Sequence, residues 1–182
     1  GIFNSGSVSY TGQGTLVAIL DTGCDYAHSA FTTHIVQNPA YNRNYIEGLL
    51  KNTEAYKYSA EVGHTLEARE VYYGNLTGEK IVFGYDYADN DPDVYSTHNN
   101  HGTHVSGVIV GKDDVITGVA IDAQLAIMKV FSDYKDGAED GDIIAALEDC
   151  VVLGVDAINM SLGSSCGFSY ESSAEEIYKN EL

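Results

Sequence analysis

Nowhere do the 182 residues contain the run of roughly 18 apolar side chains that a membrane helix needs. Gly1 opens the chain without the basic and apolar regions of a signal peptide, so the ends read as trimmed. Basic residues are scarce: nine Lys and Arg stand against 27 Asp and Glu, leaving a formal charge of −18 spread along the chain. A surface of that sign repels nucleic acid and anionic membranes, which argues against both as partners. Its simplest meaning is solubility, with calcium or a cationic substrate as functional alternatives. Cysteine is scarce too. Cys24, Cys150 and Cys166 form no C-x-x-C pair, and an odd number cannot all pair within one chain. They are expected to be buried small hydrophobes rather than a disulfide framework or a zinc site. No internal repeat, Pro-rich linker or low-complexity tract breaks the sequence, so no domain boundary is placed inside it. At 44% hydrophobic, the chain is long enough to bury one sizeable core.

The apolar residues come in short blocks. Leu16 to Leu20 is continuous and stops at Asp21-Thr22-Gly23, the pattern of a parallel strand covered on both faces. Leu125 to Phe131 and Asp156 to Met160 read as two more buried strands. Between them, Asp142 to Leu153 reads as a helix with Ile143, Leu147, Cys150 and Val151 as its inward stripe. Asp140 or Asp142 is the expected cap and Gly154 the stop. Strand, helix, strand at short spacing predicts an α/β domain, a mostly parallel sheet with helices on both faces and right-handed crossovers. From Phe31 to Lys80 the pattern weakens. Glu47 to Tyr73 could hold one or two polar helices, and about 32–80 reads as a surface insertion.

Open α/β sheets carry ligands at the carboxyl ends of their strands, which draws attention to Asp21. A carboxylate after a buried strand and before a tight Thr-Gly turn is held rigidly, although an acid there is as often a mere cap. The second candidate is His101, opening His101-Gly102-Thr103-His104-Val105-Ser106-Gly107 and the apolar Val108 to Gly111. This segment reads as a helix whose small residues permit close packing, with the His101 ring projecting from its first turn. In acyl transfer an imidazole takes a proton from a hydroxyl while a carboxylate fixes its tautomer. Asp21 and His101 suit those two roles.

Val17 to Gly23, His101 to Gly111 and Ile158 to Gly163 resemble the Asp, His and substrate-strand blocks of the subtilases, the subtilisin-like serine proteases, and stand in that family's order. Gly118-Val119-Ala120 and Leu125 to Val130 are similar as well. The resemblance implies a subtilisin-like fold, incomplete in this chain, with residues 1–182 as the N-terminal portion of a peptidase domain. It makes Asp21 the orienting carboxylate, His101 the general base and His104 a structural residue packed in the helix. Ser161, Leu162 and Gly163 become the edge segment that pairs with an extended protein or peptide substrate, Leu162 lining the pocket for the residue before the scissile bond. The 80-residue spacing between Asp21 and His101, with Gly84 to Asp89 ahead of the His block, resembles the lactocepin and C5a-peptidase-like branch. That branch implies a secreted or cell-surface protein of a Gram-positive bacterium.

Two departures stand out. Where many subtilases carry a calcium-binding Asp, this sequence has Ala30 within His28-Ser29-Ala30-Phe31, so structural calcium has no support at the usual site. The chemistry itself requires no cofactor. The family's Ala-Ala-Gly-Asn and Gly-Thr-Ser blocks do not occur before Leu182, so the chain alone is expected to be inert and to need the remainder of the peptidase domain, downstream or as a second chain. Three alternatives remain in view. One is a truncated or degenerate subtilase that binds peptides or partners without cutting them. A second is a metal hydrolase using His98, His101 and His104, weakened by the lack of an H-E-x-x-H arrangement. The third, a calcium loop at Asp89, Asp91 and Asp93, lacks the Gly and Glu of an EF-hand. The sequons at Asn75 and Asn159 read as coincidental.

Overall fold

The computed structural model describes residues 4–5 and 8–163. A short antiparallel ribbon, β1 (Asn4–Ser5) with β2 (Val8–Ser9), leads into β3 (Leu16–Asp21). Then come α1 (Ser29–Thr32), α2 (Arg43–Leu49), a 3-10 turn (Leu50–Asn52), α3 (Glu54–Glu61), α4 (Ala68–Val71) and β4 (Ile81–Asp86). The remaining elements are α5 (His101–Val110), β5 (Gln124–Lys129), α6 (Asp140–Val152) and β6 (Ala157–Asn159). Among the described residues the main sheet has four strands in the order β4-β5-β3-β6, and all its pairings are parallel.

The apolar run of β3 is continuous because both faces of the strand are covered. Leu16, Ala18 and Leu20 enter one core cluster, and Ile19 enters the other. β5 divides likewise: Ala126 and Met128 face the first cluster, Leu125 and Ile127 the second. Each Leu, Ile or Met among them stabilises the fold by about 1.5–3 kcal/mol when fully buried. The helices sit on both faces. α6 contributes Ala145, Ala146 and Cys150 to the first cluster, while α5 contributes Val110 to the second.

This arrangement corrects the expected handedness. The connections β4-α5-β5 and β5-α6-β6 both step toward the β6 edge, yet their helices cover opposite faces. Two crossovers in the same direction over opposite faces have opposite hand, so they are not both right-handed.

Other corrections concern burial. β6 is no buried strand among the described residues: Ile158 is 43% and Met160 40% exposed. In α6 the expected Ile143, Leu147 and Cys150 do face the core, joined by the more deeply buried Ala145, Ala146 and Asp149, but Val151 is 81% exposed. Its N-cap is Glu139, with Asp140 and Asp142 in the first turn, and Gly154 (φ 63) follows the C-cap in the left-handed region. The stretch from 32 to 80 is more than a surface addition, because Ile46, Leu50, Ala55, Leu66, Ala68 and Val71 belong to the larger core. Its helices are capped by Asn42, by Thr53 and by a Glu67–Glu70 capping box. Cys24 and Cys150 are free and buried, and desolvation pushes both thiols up to about 12. Cys166 lies outside the described residues.

Candidate active site

β3, β4 and β5 end together, and their last residues, Asp21, Asp86 and Lys129, stand side by side in the sheet register. After Asp21 the chain turns through Gly23, whose φ of +100 few other residues adopt. A Cβ there would also lie 2.3 Å from the Val94 carbonyl oxygen, so this turn has room only for glycine. The Asp21 carboxylate is fixed by the Thr22 amide, which donates to Oδ1 at 2.7 Å.

α5 begins against that turn. The Gly102 amide donates to Thr22 Oγ1 at 3.0 Å, and the His101 amide donates to Asn99 Oδ1 at 2.9 Å, so two first-turn N–H groups have partners. Gly102 makes the approach possible. A Cβ on it would fall 2.2 Å from the Gly23 carbonyl oxygen and 3.1 Å from Asp21 Oδ1. The result is that His101 Nδ1 lies 2.8 Å from Asp21 Oδ1 and 3.0 Å from Oδ2. An ionised carboxylate can only accept, so in this pairing Nδ1 carries the proton and Nε2 of a neutral ring presents its lone pair. The Asp21 side chain is 2% exposed and that of His101 48%, so the pair is anchored at one end and accessible at the other.

Two hollows that share lining residues lie at this end of the sheet, the first against Thr22 and Asn99, which hold the pair in place. One, of about 430 Å³, is bounded by Thr22, Ser96, His98 and Asn99 on one side and by Phe131 to Gly137 on the other. The second, of about 370 Å³, shares Phe131 and Gly137 and is lined by Ala138, Ile143, Leu162 and Gly163. Leu162 therefore lines a hollow, half-buried against the larger core, while Ser161 and Gly163 are exposed and the Ser161 hydroxyl donates to Asn159 Oδ1 at 2.9 Å. Ser161 is not drawn to His101.

The other histidines separate. His98 is exposed on the wall of the first hollow. His104 is exposed as well, which corrects the expectation that it packs inside the helix; it lines a third hollow of about 330 Å³ with His28 and Tyr95. Among the described residues no group of three or more His, Cys, Asp or Glu side chains is placed to hold a metal ion. Ala30 is buried in α1. Asp91 and Asp93 accept from the Asp93 and Tyr95 amides, and Asp89 is turned toward Lys129 and the Ser132–Asp133 segment.

Sequence reasoning gave Lys129 no role, and weighed Asp89 beside it only as part of a calcium loop. Its signal was a lysine inside the otherwise apolar Leu125 to Val130 run, which period and composition alone do not explain.

The matching family model is that of the subtilase family, over residues 12–181. The chain belongs to the subtilase family. Among curated relatives, it is 31% identical over 168 residues to a PII-type proteinase of Lactococcus lactis subsp. cremoris, covering 87% of this chain and 8% of that protein. It is 31% identical over 166 residues to the minor extracellular protease Vpr of Bacillus subtilis (strain 168), covering 87% of this chain and 15% of Vpr. With a C5a peptidase of Streptococcus pyogenes serotype M6 it shares 29% identity over 164 residues, 85% of this chain and 12% of that one. This subtilase segment thus spans a small part of the relatives it matches. The solved structure of the Clostridium perfringens CspB protease matches its fold, with a TM-score of 0.51 and 21% identity over 94% of this chain and 34% of that one. No helix among the described residues is long and apolar enough to cross a membrane.

Proposed function

We propose that this subtilase segment supplies the carboxylate and the general base of a serine endopeptidase. The observation that carries the reading is the 2.8 Å contact between a buried Asp21 and a half-exposed His101. Nε2 of His101 takes the proton of a serine hydroxyl as that oxygen attacks the scissile carbonyl, and Asp21 stabilises the imidazolium that forms. The same proton passes to the leaving amine. Water then attacks the acyl-enzyme while the same Nε2 takes its proton and delivers it to the departing serine oxygen, freeing the carboxylic acid product. The serine and its oxyanion donors come from the remainder of the peptidase domain, downstream or on a second chain.

Ser161, Leu162 and Gly163 offer backbone for an extended protein or peptide substrate, with Leu162 presenting an apolar wall to one of its side chains. No cofactor enters the chemistry. The likeness to proteinases that include a named extracellular protease supports a secreted or cell-surface enzyme of a Gram-positive bacterium.

The test is the whole peptidase, wild type and His101→Ala, measured for peptide cleavage and for labelling by a fluorophosphonate. Wild type should cleave and label, and His101→Ala should do neither at a comparable rate. Equal cleavage and labelling by the two proteins would overturn the reading. A wild type that binds peptides but never labels would favour a non-catalytic binding protein instead.

A further inference from the structure

Lys129 ends β5 with its side chain wholly buried, a position from which an ammonium is normally excluded unless it is heavily paired. Its stem runs beneath the Asp21 turn, since a Cβ on Gly23 would meet Lys129 Cδ at 2.9 Å. Its Nζ bonds Asp86 at the end of β4 and reaches Asp89 Oδ2 at 3.3 Å and Asp133 Oδ2 at 3.5 Å. These carboxylates carry the tie outward. Asp89 accepts from Ser132 Oγ at 2.5 Å and from the Asp133 amide at 2.9 Å, and Asp133 Oδ1 accepts from Ser96 Oγ at 3.2 Å.

One cation thereby joins the end of β4, the 131–137 loop that leaves β5, and the loop through Ser96 that leads to His101. The last two are the opposing walls of the hollow beside the Asp21–His101 pair. Asp89 and Asp133 lose their shared counter-charge and repel each other once the ammonium is gone, so the spacing of those walls depends on the charge and not only on the packed stem.

We propose that Lys129 is a positioning residue for substrate, its ammonium holding the 131–137 loop at a fixed distance from the Ser96–Asn99 loop so that an extended peptide finds the crevice preformed. The inference rests on the peptidase reading above. It separates two parts of one side chain: the stem supports the turn bearing Asp21, and the ammonium sets the crevice walls.

Lys129→Met keeps the stem and removes the charge; Lys129→Arg keeps a charge. In the whole peptidase, each is measured for its fluorophosphonate labelling rate and for kcat/KM on peptides lengthened one residue at a time from the scissile bond. Lys129→Met is expected to slow labelling by less than about threefold while losing about tenfold or more of the gain that wild type draws from longer peptides, chiefly through KM. Lys129→Arg should recover most of that gain. Retention of the full gain by Lys129→Met overturns the inference, as does an equal loss of labelling and of gain. Should Lys129→Met fail to fold, Ser132→Ala and Asp133→Asn each remove one outward tie. Selective loss of the length-dependent gain in these folded variants supports the inference, and its retention in both overturns it. A wild type that neither labels nor cleaves overturns the peptidase reading and this inference with it.

Discussion

Asp21 and Asp149 are two aspartates with almost no exposed surface, 1% and 0%, and they stand in contrasting surroundings. Asp149, in the last turn of α6, accepts from the Glu54 amide at 2.5 Å, the Ala55 amide at 2.9 Å and the Tyr87 hydroxyl at 2.7 Å. Every partner is a fixed donor, two of them the opening amides of α3, so the carboxylate welds two helices and a strand end together. Asp21 also accepts from a backbone amide, but its other partner is an imidazole that can change protonation and is half open to solvent. Burial is common to both. What separates a structural carboxylate from a candidate catalytic one is whether its partner can exchange protons with something outside the protein.

The contrast can be broken by mutation, and the largest effect belongs to the open pair. In the whole peptidase, His101→Ala should lower kcat by about 10⁶-fold and Asp21→Asn by about 10⁴-fold, as expected for members of a Ser-His-Asp triad. Both proteins should melt near the wild-type temperature. Residual kcat within tenfold of wild type for either would remove that residue from the mechanism.

The closed carboxylate should behave in the opposite way. Asp149→Ala leaves two amides and a phenol without their acceptor and should cost about 3 kcal/mol in a urea titration, with kcat per folded molecule retained. A loss of kcat without a loss of stability would erase the distinction. Of similar size is the effect of Gly102→Ala. Its methyl group would collide with the Gly23 carbonyl and push the His101 ring off Asp21, lowering kcat/KM by about 10²-fold. If activity stayed at the wild-type level, the close approach of α5 to the turn would not matter.

The last contrast concerns a third buried aspartate and is read in stability against pH rather than in rate. Burial, reinforced by the neighbouring Asp89 charge and only partly offset by Lys129, lifts Asp86 to about 7 from an ordinary value near 3.9. The folded state then binds a proton that the unfolded chain has already released. The stabilisation is full below about pH 4 and is lost as pH rises through about 7. Thermal melts of wild type and Asp86→Asn across that range should show wild type losing ground as pH increases. A constant difference between them would contradict the shift.

How much of this was legible in the sequence depended on how local the cause was. β3, β5, α6 and the start of α5 were readable because an apolar run, a helical period and a glycine stop are short-range signals. The inward face of α6 was legible in Ile143, Leu147 and Cys150 but not at its edge. Val151 fits a helical stripe, but the position of α3 decides which side of α6 is covered, and it favours Asp149 over Val151. β6 was readable as a strand and misread in burial, because exposure is a property of neighbours rather than of Ile158 and Met160 themselves. Lys129 was overlooked for the same reason: Asp86 and Asp89, some 40 residues earlier in the chain, join Asp133 of the following loop in making its burial tolerable.

By itself, the sequence determined the family and the parallel α/β class and singled out Asp21 and His101 as candidates, since each rests on contiguous blocks of residues. Only the tertiary structure decided that these side chains, 80 positions apart, lie 2.8 Å from each other. The reason is steric: two glycines, Gly23 and Gly102, leave the room in which α5, crossing the sheet on the face opposite α6, can seat its first turn on the end of β3.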